Sequence, residues 1–148
     1  MKQRWNLSVV KNLKNVNVMV LSDSGDKDKD KEFTQQTVRL LEEAGLKVFV
    51  RTDESINEYH VKTNPTLILG LTKLRTTNKY NITGWLDEPF TLERNGLTLF
   101  HQSWHFFNKY EPEQSRLESN DIEDGLSKLN AIARQFADDV REAKDKKD

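Results

Sequence analysis

The first strong apolar segment of the chain is Val16-Asn17-Val18-Met19-Val20-Leu21, a β-branched run that reads as a buried strand. It stops at Ser22-Asp23-Ser24-Gly25, a cluster of turn formers. From about Asp30 the apolar spacing lengthens. Phe33, Thr37, Leu40, Leu41 and Ala44 fall on one stripe of an amphipathic helix, and Gly45 stands where a left-handed C-terminal cap is wanted. Val48, Phe49 and Val50 predict a second strand within Leu46–Thr52. A weaker segment, Ser55–Val61, predicts a short helix ended by Thr63-Asn64-Pro65. Pro65 has no N–H to give a ladder, which suits the first residue of the strand Thr66–Leu71. Strand, helix, strand, helix, strand is the alternation of an α/β fold, whose first crossover joins parallel strands.

Beyond Leu71 the pattern predicts a turn to Asn78, then a strand over Lys79–Thr83 hairpinned onto the previous one and broken at Gly84-Trp85. Phe90-Thr91-Leu92 and Leu97–Phe100 flank Asn95-Gly96, a strong hairpin signal. A competing reading makes Asp87–Arg94 a helix with Pro89 in its first turn; the hairpin is preferred. His101–Tyr110 is dense in aromatics, and Glu111–Ser119 is polar and acidic. Asn120 followed by Glu123 resembles a capping box. Ile122, Leu126, Leu129, Ile132, Phe136 and Val140 then keep helical spacing, which predicts one long amphipathic helix from 121 to about 143. Residues 1–15 are polar and basic with Trp5, Leu7, Val9, Val10 and Leu13 as apolar points, a pattern open to a short helix, a strand or a loose arm. The organisation expected is an N-terminal arm (1–15), an α/β domain (16–110), an acidic linker (111–120) and a terminal helix with a charged tail (121–148).

Composition narrows the function classes. At 148 residues a single domain is expected, and seven Phe, three Trp and three Tyr suffice for a core although only 35% of the chain is hydrophobic. No cysteine is present, so disulfides, thiolate metal sites and thiol catalysis are all excluded. A formal net charge of −1 lacks the strongly basic footprint of a typical nucleic-acid binder. No apolar run approaches the roughly 18–20 residues that span a bilayer, and Met1–Trp5 lacks a signal peptide's apolar stretch. The expectation is a cytoplasmic protein with no membrane contact.

The stretch from Ser55 through Tyr59, His60 and Val61 to Asn64-Pro65-Thr66-Leu67-Ile68-Leu69 resembles the thioredoxin/glutaredoxin signature, in which a short helix ending in Tyr and a β-branched residue precedes a Pro-Thr pair and an apolar strand. The resemblance spans roughly residues 16–95. It implies a three-layer thioredoxin-like sandwich with a mixed central sheet, to which the long C-terminal helix is added. It also implies a cis Asn64–Pro65 bond bordering the site where strand one meets helix one. There the family carries Cys-x-x-Cys, whereas Ser22–Thr34 contains no cysteine, so the family's oxidoreductase activity does not carry over. What the resemblance leaves is a groove of Asn64, Pro65, Thr66 and His60 that would hold an extended peptide by strand addition. A second likeness runs through Leu40–Val48, Arg51–Ile56 and Pro65–Gly70, which is similar to the anticodon-binding domain of class II aminoacyl-tRNA synthetases and implies an RNA-binding accessory domain.

The remaining candidate residues carry weaker chemistry. Asp26-Lys27-Asp28-Lys29-Asp30 alternates acids as a calcium loop does, but the positions that need Gly and Glu hold Lys31 and Thr37, so a solvated charge run is the plainer reading. His101 and His105 lie four apart yet lack a third zinc ligand, and with Trp104, Phe106, Phe107 and Tyr110 they read as an aromatic surface suited to a protein partner. Ser22–Gly25 has one glycine and too many carboxylates for a phosphate cradle. Lys73, Arg75, Lys79 and Tyr80 form the cluster on which single-stranded RNA would stack if the second likeness held. The reading reached from sequence is a non-catalytic protein-binding or assembly module with no cofactor and no metal, and an RNA-binding domain as the alternative.

Overall fold

The computed structural model describes residues 8–52, 64–90, 100–105 and 117–145. Its elements are α1 (Ser8–Lys11), β1 (Asn15–Ser22), α2 (Lys27–Glu43), β2 (Lys47–Val50), β3 (Thr66–Lys73), β4 (Tyr80–Phe90), β5 (Phe100–His105), β6 (Leu117–Ser119) and α3 (Ile122–Asp145). The strands form one mixed sheet in the order β2-β1-β3-β4-β5, with β6 beside the start of β4. The chain is thus an α/β fold with a mixed central sheet and a long C-terminal amphipathic helix. β1 is parallel to both β2 and β3, an arrangement that requires crossover connections, whereas β3, β4 and β5 are successively antiparallel.

Alternation along the strands divides the sheet into two faces. Val16 and Val18 of β1, Leu67, Leu69 and Leu71 of β3, and Ile82 and Leu86 of β4 share one face and are buried. α2 covers it with Phe33, Thr37 and Leu41, and α3 with Leu129, Phe136 and Val140, the two helices lying side by side. Removing each such large side chain from water contributes about 1.5–3 kcal/mol, which is why these stripes fix the fold. Val10 and Leu13 join the same core, so α1 and the turn after it bring apolar surface to the domain. Asn17, Thr66 and Ile68 are buried on the opposite face. The short helix predicted over Ser55–Val61 lies outside the described residues.

Local chemistry explains the boundaries. Asp26 caps α2, its Oδ1 accepting the N–H groups of Asp28 (3.1 Å) and Lys29 (3.0 Å). Gly45 ends the helix region at φ +93°, a conformation favouring glycine. Three expectations shift. The predicted break at Gly84-Trp85 is absent: β4 runs unbroken from Tyr80 to Phe90, with Gly84 opposite Leu69 and Trp85 opposite Ile68. Its last residues pair with β5, so Asp87–Phe90 are strand and not helix. At the start of α3 the cap is Asp121, one residue beyond the predicted Asn120, because its Oδ1 accepts the Asp124 N–H at 2.7 Å. Within the segment read as an acidic linker, Leu117–Ser119 is strand β6, paired with Tyr80–Ile82.

Candidate functional site

Asn64 and Pro65 sit immediately before β3, and a buried amide on the neighbouring strand holds them there. Asn17 is fully buried. Its Nδ2 donates to the Asn64 carbonyl (3.5 Å) and to Thr66 Oγ1 (3.4 Å), and its backbone N–H donates to the Pro65 carbonyl (2.8 Å). In the sequence Asn17 is one residue within an apolar run. A lone amide between Val16 and Val18 was the available signal, because a buried polar group in a strand requires partners.

The Asn64–Pro65 bond is trans, against the cis bond implied by the thioredoxin resemblance. A trans bond is the ordinary preference even before proline, and here an extended approach delivers the Pro65 carbonyl to the β1 ladder. The implied neighbourhood differs as well. Because β1 and β3 are parallel, Thr66 pairs with Asn17 at one end while Leu71 pairs with Ser22 at the other. Six residues of strand (Thr66–Leu71), about 20 Å, separate Pro65 from the level of the β1–α2 turn, so the two features that the resemblance sets side by side lie at opposite ends of the sheet.

A pocket of about 260 Å³ does open at Asn64 and Pro65. Its other walls are the segment Asn12–Asn15, which links α1 to β1, and Glu88 of β4. Three asparagines (Asn12, Asn15 and Asn64), Lys14 and Glu88 therefore line one recess together with Leu13 and Pro65. Such a wall offers both donors and acceptors, the complement of a polypeptide backbone. Of the predicted groove, Asn64 and Pro65 line this pocket, Thr66 is buried beside it, and His60 lies outside the described residues.

The other predicted sites are only partly assembled. Trp104 lies in β5 opposite Leu86, His101 opposite Pro89 and His105 opposite Trp85; Phe106, Phe107 and Tyr110 lie outside the described residues. Lys73, Arg75, Lys79 and Tyr80 do come together at the β3–β4 turn, where Lys73 pairs with Tyr80. Acids accompany them: Asp23 Oδ2 accepts the Lys73 backbone N–H at 2.9 Å, and Glu118 lies 3.8 Å from Lys79 Nζ. Tyr80 is partly buried against the core. In the β1–α2 turn, Ser22 Oγ accepts the Ser24 N–H (3.1 Å) and Ser24 Oγ accepts the Asp26 N–H (3.0 Å). With Asp26 capping α2, these donors are satisfied internally where a phosphate would need them. Among the described residues no group of three His, Asp or Glu side chains is placed to hold a metal ion, and no helix is long and apolar enough to cross a membrane.

No family model matches the chain, and no curated protein matches it. Solved structures similar to it include the PelC dodecamer from Paraburkholderia phytofirmans, at 8% identity and a TM-score of 0.40, covering 99% of this chain and 97% of that one. Lipoprotein GNA1162 from Neisseria meningitidis is 20% identical with a TM-score of 0.33, covering 83% of this chain and 96% of that one. Likenesses at these TM-scores assign neither a fold family nor a function.

Proposed function

We propose that this chain is a non-catalytic protein-binding module and that its contact site is the pocket at Asn64–Pro65. The observation that carries the proposal is the wall of that pocket, where Asn12, Asn15 and Asn64 stand with Lys14 and Glu88 around one recess. Carboxamides paired with one charge of each sign suit the alternating N–H and C=O groups of an extended peptide, with no net charge to demand a charged ligand. The absence of cysteine removes thiol exchange, so this reading requires binding without disulfide chemistry.

A displayed random-peptide library tests it. Selection on the wild-type protein is compared with selection on Asn15→Arg/Asn64→Arg, which fills the recess with bulky charge. The Asn64 carbonyl that Asn17 uses is backbone and survives the substitution. Peptides enriched on wild type and lost on the variant, with the variant's melting temperature unchanged, are expected. Equal enrichment on both proteins, or none on either, removes the pocket as the contact site.

A further inference from the structure

We draw no further inference here: the strongest candidate, the groove of about 330 Å³ between α2 and α3 with Phe33 and Leu126 in its wall and the Lys29–Glu123 ion pair alongside, is an interhelical cleft for which nothing in the structure shows what covers it.

Discussion

Lys144, in the last turn of α3, caps a helix that is not its own. Its Nζ donates to the carbonyl of Gly45 at 3.2 Å and to that of Ala44 at 3.4 Å, at the C-terminal end of α2. α2 has no basic residue in its own last turn, so a cation 99 residues away in sequence meets the partial negative charge there. The Lys29–Glu123 pair joins the N-terminal ends at 3.5 Å, so the two helices run in the same direction and are tied at both ends. Lys144→Met keeps most of the side chain's length and removes the donor. It is expected to cost about 0.5 kcal/mol. Gly45→Ala is expected to cost more, about 1–2 kcal/mol, since φ is +93° and a Cβ there would stand 2.9 Å from Lys144 Nζ. Urea denaturation followed by circular dichroism measures both, and a Gly45→Ala protein as stable as wild type contradicts the geometry.

The start of α3 should be sensitive to acid. Lys128 Nζ lies 2.9 Å from Asp124 Oδ2, and Ser119 Oγ lies 2.7 Å from the same oxygen. The hydrogen bond from Lys128 first, then that from Ser119, hold the Asp124 carboxyl below its ordinary 3.8, against a smaller opposing effect of burial. A carboxyl whose value is lowered on folding stabilises the native state above its unfolded value and loses that contribution as pH falls through the folded one. Asp124→Asn should therefore be less stable than wild type at neutral pH, and the gap should close below the ordinary value of 3.8. Paired denaturation curves across acidic pH check it. A gap that stays constant down to the strongest acid tested assigns the stabilisation to something other than ionised Asp124.

The basic turn should not retain RNA. Glu118 stands 3.8 Å from Lys79 Nζ and the Asp23 carboxylate is held at the Lys73 backbone N–H, so two acids share this turn with the three cations, and Tyr80 is partly buried against the core. Counterion release needs several uncompensated cations along a phosphate track. Retention of labelled tRNA at physiological salt is expected to match that of Lys73→Ala/Arg75→Ala/Lys79→Ala. Retention that exceeds the triple variant and falls steeply with salt would favour the anticodon-binding reading.

What the sequence made legible was what repeats locally. β1 and β3 stood out because their runs are rich in Val, Leu and Ile, and α2 and α3 because Phe33–Thr37–Leu41 and Leu129–Phe136–Val140 return at helical spacing and are buried accordingly. Gly84 misled because glycine punctuates strands in isolation; here it pairs with Leu69 in the interior of a ladder that runs eight residues from Thr66 to Lys73. The cap moved from Asn120 to Asp121 because side chains of both types cap equally well and only hydrogen-bond geometry selects between them. The pocket was half legible. Asn64 and Pro65 are marked by the proline, but Asn12, Asn15 and Glu88 reach the same recess through tertiary packing, which no local pattern encodes. The same holds for Lys144 at Gly45.

Gly125 sets how closely α3 approaches the sheet. It is buried in the first turns of the helix, and a Cβ added there would stand 2.6 Å from Leu71 Cδ1, with Ser119 Cβ at 3.7 Å. Two effects oppose each other in Gly125→Ala. Helix propensity favours alanine by about 1 kcal/mol. Overpacking against a well-filled core costs about 1–3 kcal/mol, and Leu71 is fully buried, so its methyl cannot swing into solvent. The overpacking should win, leaving the variant less stable by about 1 kcal/mol, equivalent to a fall in Tm of about 3 °C for a chain of this size. Gly125→Val should be worse, because a branched side chain adds bulk on the same line. Leu71→Ala opens space at that contact, so the cost of Gly125→Ala should shrink or reverse in the Leu71→Ala background. The double-mutant cycle reads this coupling directly. Strict additivity would show that the two residues do not meet and that α3 sits farther from β3.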